Sequence, residues 1–132
     1  MTYAYLDSSV AVRLLLGHSL DASEWFDRIT ADAPDSVISS RLLRTELTRV
    51  LRRESIAVSE RDAVLDFVGL LRVTEPVLAQ ADAIVPHLKT LDAIHLATAL
   101  HSGLDPVIVT HDARMREVAD LVGFSVFDPV AS

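Results

Sequence analysis

The chain has 132 residues, of which half are hydrophobic and none is cysteine, and it carries a net charge of −7. This length predicts a single domain over residues 1–132, and the lack of cysteine excludes disulfides, zinc–thiolate sites and thiol nucleophiles. The acidic balance argues against broad nucleic-acid binding, because affinity for phosphates comes mainly from lysine and arginine. However, the charge is unevenly distributed, because five arginines lie within residues 41–53. With no signal-peptide pattern and no apolar run of bilayer length, we expect a cytoplasmic protein that is not in a membrane.

Strand and helix patterns alternate along the whole chain. In chain order they predict a strand at 3–6, helices at 8–16 and 21–31, a strand at 36–39, helices at 41–53 and 59–71, a strand at 71–74, a helix from Pro76, a helix at 92–101 ended by Gly103, a strand at 106–110, a helix from Asp112 and a strand at 123–127. Ser8 or Ser9 is expected to cap the first helix. This alternation predicts an α/β fold, with a parallel sheet of about five strands and helices on both faces.

Two aspartates follow predicted strands and precede helices. Asp7 ends the first strand, and Asp112 comes just after the strand at 106–110. Open α/β sheets place their active sites at the carboxyl ends of strands, so these carboxylates face each other if the two strands are neighbours. Taken alone, each acid is also explained as a cap of the helix that follows it.

Two further acids lie on apolar helices. Glu46 is at the margin of an apolar stripe, although an ion pair with Arg49 or Arg53 is its simpler explanation. Asp92 opens a helix that is apolar on nearly all sides; it is either an acid favoured by the helix dipole or a buried acid that needs a partner. Four carboxylates brought together repel one another unless a cation lies between them. Together with Asp7 and Asp112, Glu46 and Asp92 therefore predict a site for a hard metal ion.

Several other side chains invite simpler interpretations. His95 lies one turn after Asp92 and could orient a carboxylate or a water, although a hydrogen-bonded core histidine is the commoner case. His111 is interpreted as a loop histidine. Trp25 and Phe26 are interpreted as core or interface residues rather than as platforms for bases.

These motifs together resemble those of the PIN-domain family. They are Asp7-Ser8-Ser9 after the first strand, Glu46 in a central helix, the block at residues 91–99 and Val109-Thr110-His111-Asp112. The length and the absence of extra domains are similar to those of the VapC toxins of type II toxin–antitoxin systems. The resemblance covers essentially the whole chain and implies a three-layer α/β/α PIN-like fold.

The resemblance implies an endoribonuclease that depends on Mg²⁺ or Mn²⁺ and is inhibited by a cognate, VapB-like antitoxin. The implied catalytic acids and metal ligands are Asp7, Glu46, Asp92 and Asp112, of which Asp7 and Asp92 are the most direct ligands. Thr110 would hold Asp112 or a metal-bound water, and Ser9 would support Asp7. A divalent ion fits phosphodiester hydrolysis because it acidifies water and polarises the phosphoryl oxygen. We expect cleavage to leave a 5′-phosphate and a 3′-hydroxyl.

Candidate contacts to RNA and to protein partners are less specific. Five arginines are candidates for binding RNA, although a solvated position or an ion pair is the simpler explanation for each: Arg13, Arg49, Arg53, Arg114 and Arg116. Apolar side chains on two early helices offer surface for an antitoxin helix: Leu14, Leu15, Leu16, Trp25 and Phe26. The family resemblance also implies a homodimer.

Other classes of protein fit the motifs less well. A receiver-like regulatory module needs an acidic pair after its first strand and an aspartate after a middle strand, but serines follow Asp7 and residues 36–39 contain no aspartate. A phosphatase with a nucleophilic aspartate needs Asp-x-Asp after the first strand, which is also absent. A catalytically silent PIN-like binding or regulatory module remains the alternative, and the complete set of acids argues against it.

Overall fold

The computed structural model describes residues 1–130 as short strands alternating with helices. The strands are β1 (Ala4–Leu6), β2 (Val37–Ser40), β3 (Gly69–Leu71), β4 (Val107–Val109) and β5 (Val126–Phe127). The helices are α1 (Ser8–Leu16), α2 (Leu20–Asp32), α3 (Leu42–Arg53), α4 (Asp62–Leu65), α5 (Glu75–Asp82), α6 (Thr90–Ser102) and α7 (Ala113–Leu121), with a 3₁₀ turn at Val58–Arg61 before α4. Glycines in the left-handed region end α1 and α6, as is common at helix C-termini: Gly17 and Gly103.

The five strands form one parallel sheet in the order β3-β2-β1-β4-β5. Strand β1 is central, and its Ala4 lies opposite Val37 of β2 on one side and Val107 of β4 on the other. The strand order reverses between β1 and β4, which is where open α/β sheets place their sites. Because these two strands are neighbours, the segments that follow them meet at one edge of the sheet.

Helices cover both faces of the sheet and enclose two cores. Successive residues of β1 point to opposite faces: Leu6 packs with the residues of α1 to α4, whereas Tyr5 packs with those of α6 and α7. Helix α5 packs on α6. These layers confirm the predicted three-layer α/β/α fold. Within the described residues, no helix is long and apolar enough to cross a membrane.

The predicted helix at 59–71 and strand at 71–74 are both wrong in extent. The helical segment ends at Leu65, and β3 begins earlier, at Gly69. The buried residues Val64 and Val68 have helical spacing, but the helix ends between them. The chain is nevertheless extended beyond them, and Leu70 and Leu71 pack on different cores, as consecutive residues of a strand do.

The predicted cap of α1 is also wrong. Asp7, rather than Ser8 or Ser9, occupies the N-cap position, and its side chain makes no capping hydrogen bond. The hydroxyl of Ser9 is directed to the carboxylate of Asp7 instead. The carboxylate is therefore held at the edge of the sheet and not folded back onto the helix.

Candidate active site

Asp7 is the most buried of the four candidate acids, with 2% of its surface exposed. Its Oδ2 accepts hydrogen bonds from the hydroxyls of Ser9, at 2.7 Å, and Thr110, at 2.8 Å. Its Oδ1 is buried and has no hydrogen-bond partner among the described residues. Leaving a buried acceptor unpaired costs about 1–3 kcal/mol, and more for a charged group. This oxygen is therefore suited to a ligand that donates a hydrogen bond or carries positive charge.

The two hydroxyls that bind Asp7 are themselves fixed by the backbone after β4. Ser9 Oγ accepts from the N–H of His111 at 2.9 Å, and Thr110 Oγ1 accepts from the N–H of Asp112 at 3.1 Å. With these N–H groups bound, each hydroxyl proton is directed to Asp7. The arrangement joins the ends of β1 and β4 and leaves the carboxylate little freedom to rotate.

Asp112 has the structural role that its position suggested, since it caps α7. Its Oδ1 accepts from the N–H of Met115 at 2.8 Å. The side chain is only half-buried, and its charge contributes to the raised pKa of Asp92. Thr110 contacts this residue through the backbone N–H and not through the carboxylate.

Glu46 turns inward from α3 to a buried histidine. Its side chain is 16% exposed, and its Oε1 lies 2.5 Å from Nε2 of His95, which is fully buried in α6. The other ring nitrogen of His95, Nδ1, lies 2.7 Å from the hydroxyl of Tyr5. The partner of Glu46 is thus His95 and not one of the expected arginines; Arg53 pairs with Glu54 at 3.2 Å.

The surroundings of the Tyr5–His95–Glu46 hydrogen bonds shift the pKa values of His95 and Tyr5. Burial works to lower the pKa of His95, but the hydrogen bond and the charge of Glu46, together with the charges of Asp7 and Asp92, raise it above its ordinary value. Burial also raises the pKa of Tyr5, so its hydroxyl keeps its proton at physiological pH. His95 is therefore a hydrogen-bonded core histidine that contacts a candidate acid.

Asp92 lies in the first turn of α6, and the charges of the other three acids act on its carboxyl group. Burial and the charges of Asp7 and Asp112, with a smaller effect of Glu46, raise its pKa from 3.8 to about 6, although His95 opposes the rise. Four candidate carboxylates therefore share one electrostatic environment. Within residues 1–130, no three histidine, aspartate or glutamate side chains are arranged to coordinate one ion together.

Most of the candidate arginines have partners within the protein. Arg13 donates to the carbonyl of Ser9 at 2.6 Å, Arg114 donates to the carbonyl of His87 at 2.8 Å, and Arg116 pairs with Asp128 at 2.7 Å. These contacts agree with the simpler explanation offered for each arginine. Arg49 is exposed on α3, one turn after Glu46.

Sequence reasoning missed Asp128, which follows β5. Its carboxylate, 6% exposed, binds His111 Nδ1 at 2.8 Å and Arg116 at 2.7 Å, and it also accepts from the N–H of Val130. It thereby fixes the loop that supports Asp7 through Ser9. Asp128 stands after a strand, as Asp7 and Asp112 do, and the same strand-end rule would have found it.

A family model described as PIN domain matches residues 4–121. The chain belongs to the PIN-domain family. It is 40% identical over 134 aligned positions to Ribonuclease VapC46 of Mycobacterium tuberculosis, covering 98% of this chain and 99% of the relative. It is 33% identical to Ribonuclease VapC47 of the same species, covering 96% and 97%. A chain of a toxin–antitoxin complex from Klebsiella pneumoniae has the same fold, with a TM-score of 0.72, 18% identity and coverage of 96% and 97%.

Proposed function

We propose that this PIN-domain protein is a metal-dependent endoribonuclease toxin that hydrolyses RNA phosphodiester bonds and is neutralised by a cognate antitoxin. The observation that carries the proposal is the buried, hydroxyl-bound Asp7, whose Oδ1 lacks a partner among the described residues and whose charge, with those of Asp112 and Glu46, acts on Asp92. The relatives named as VapC ribonucleases, matched over nearly their whole length, support the same activity.

The residues fit a hard divalent cation such as Mg²⁺ or Mn²⁺. Asp7 Oδ1 is a carboxylate oxygen without a described donor, and the pKa of Asp92 is raised by burial and then by the charges of Asp7 and Asp112, which a cation would offset. Asp7 and Asp92 would hold the ion most directly, and Glu46 and Asp112 would complete its surroundings. The lack of a three-ligand cluster within residues 1–130 is compatible with Mg²⁺, which keeps several waters and uses one or two carboxylates. When bound, the cation would supply Lewis acidity, which activates water and stabilises charge developing on the phosphoryl group.

The surrounding side chains prepare this site before substrate binds. The hydroxyls of Ser9 and Thr110 hold Asp7 in one orientation, so little reorganisation is needed during the reaction. His95 binds Oε1 of Glu46, which leaves Oε2 as the oxygen that would be presented to the reacting phosphate or its water. Arg49 is the candidate arginine best placed to bind an RNA phosphate, because it is exposed one turn beyond Glu46.

An antitoxin partner is supported by the toxin–antitoxin complex that shares the fold. Of the apolar residues expected to bind it, Phe26 is a core residue with 5% of its surface exposed, whereas Leu14, Leu15 and Trp25 are half-buried on the same face. Trp25 also lines an open apolar cleft of about 510 Å³ together with Phe127, which would accept apolar side chains of the antitoxin. The homodimer and the cytoplasmic location stay predictions.

The decisive experiment is cleavage of total cellular RNA by protein purified free of antitoxin, with Mg²⁺ or Mn²⁺ compared with EDTA. Wild type should produce discrete fragments only with metal, and Asp7→Asn should abolish them while the far-UV circular dichroism stays unchanged. Asp62→Asn, at an exposed acid in α4, is the matched control and should cleave like wild type. Folded wild type that cleaves no RNA with either metal would favour the catalytically silent module.

A further inference from the structure

A buried chain of hydrogen bonds connects the centre of the sheet to Glu46. It runs from the hydroxyl of Tyr5 in β1 to Nδ1 of His95 in α6, at 2.7 Å, and from Nε2 of His95 to Oε1 of Glu46 in α3, at 2.5 Å. The Tyr5 and His95 rings meet edge to face, with centroids 5.8 Å apart. The chain thus joins three elements that are far apart in sequence and ends on a candidate acid.

The direction of these hydrogen bonds is set by the chemistry of the partners. A carboxylate only accepts, so the short contact to Glu46 requires a proton on Nε2 of His95. When His95 is neutral, Nδ1 is then the acceptor and the Tyr5 hydroxyl donates to it. When His95 is charged, both nitrogens carry protons, and Nε2 still donates to Glu46. The bond to Glu46 therefore has the same direction in both charge states.

A simple core role for His95 does not explain the orientation of Glu46. A buried imidazole needs partners for both nitrogens, but the backbone or a serine could supply them as well as an acid. Glu46 has Arg49 and Arg53 close along its own helix, yet it bonds across to α6, where its charge also acts on Asp92. The bond to His95 selects, among the many rotamers of a long side chain, one that faces the acidic site.

We infer that His95 is a positioning residue: its Nε2–H holds Oε1 of Glu46 so that Oε2 is presented to the acidic site, while Tyr5 holds the ring. This inference rests on the proposed function for the consequence in catalysis, but the arrangement itself is independent of it. His95 contacts neither phosphate nor the reacting atoms in this scheme and acts only through Glu46.

The first test is a titration of Mn²⁺ binding, in which the EPR signal of free Mn²⁺ measures how much metal is bound. His95→Leu should weaken Mn²⁺ binding by about 10- to 100-fold, the usual effect of losing a hydrogen-bond partner of a ligand. His95→Gln keeps an N–H donor close to the position of Nε2 and should restore much of the affinity. Tyr5→Phe removes only the hydroxyl and should give a smaller loss than His95→Leu. Equal affinity in wild type and a folded His95→Leu variant would overturn the inference.

The second test is nitrogen-15 NMR of the histidine ring, which does not depend on activity or on whether His95→Leu folds. Wild type should show a proton on Nε2 of His95, and Tyr5→Phe should keep it there, because the acceptor that requires it is Glu46 and not Tyr5. A neutral ring in wild type with its proton on Nδ1 would overturn the inference. If wild type cleaves no RNA, the proposed function fails, whereas the metal and NMR results still decide the role of His95.

The third test is a double-mutant cycle on the cleavage of an RNA oligonucleotide. His95→Leu should lower kcat by about 10- to 100-fold with little change in KM, because it disturbs an acid and not the binding surface. In the background of Glu46→Gln, His95→Leu should have almost no further effect, since it acts through Glu46. Losses that multiply instead would show that His95 acts independently of Glu46 and would overturn the inference.

Discussion

The burial of Asp92 and its proximity to the other acids predict an unusual dependence of stability on pH in metal-free protein. The pKa of Asp92 rises from 3.8 to about 6 on folding, so the folded state binds this proton more tightly than the unfolded state. The resulting stabilisation is fully present below about pH 4 and is lost as pH rises through about 6. Asp92 thus contributes a slope opposite to that of an ordinary ion-paired carboxylate.

The size of this effect follows from the same values. A rise from 3.8 to about 6 corresponds to about 3 kcal/mol, at about 1.4 kcal/mol per pH unit. Asp92 is half-buried, so water screens part of the repulsion from Asp7 and Asp112. We therefore expect on the order of 1–2 kcal/mol of free energy of unfolding to be lost between about pH 4 and about pH 7.

Urea denaturation in EDTA across this pH range measures the effect. Other groups titrate too, so the useful quantity is the difference in free energy of unfolding between wild type and Asp92→Asn. As pH rises, Asp92→Asn should gain about 1–2 kcal/mol relative to wild type, and Asp62→Asn should gain nothing. Excess Mg²⁺ should reduce the gain of Asp92→Asn. Parallel pH profiles for wild type and Asp92→Asn, or a gain by wild type, would refute the raised pKa of Asp92.

Three further substitutions test the hydrogen bonds that hold Asp7, the contact with RNA and the loop after β4. Thr110→Val keeps the shape but removes a donor to Asp7 and the acceptor of the Asp112 backbone N–H. It should cost about 2–3 kcal/mol in urea denaturation, and a loss under about 0.5 kcal/mol would argue against the hydroxyl contacts. Arg49→Ala should weaken RNA binding more at low than at high salt, and a salt-independent loss would indicate a packing role. Asp128→Asn should lower cleavage and increase amide exchange at His111; unchanged exchange would contradict the role of Asp128 in fixing this loop.

Local patterns in the sequence determined the alternating elements and the candidate acids at strand ends. Periodicity and helix-ending glycines act over a few residues, so α1, α3 and α6 were predicted close to their observed bounds. Asp7 and Asp112 were likewise found because each follows a strand. The segment before β3 was misjudged, since spacing alone does not show which core receives Leu70 and Leu71.

Only the tertiary structure decided how the acids are held. Local spacing favoured an arginine partner for Glu46, but its partner His95 lies 49 residues away in sequence and is reached because the fold brings these two side chains together. Thr110 meets Asp7 across 103 residues because β1 and β4 are neighbours in the sheet. Hydrogen bonds are short and directional, so their partners depend on how distant elements pack, which a local pattern does not contain.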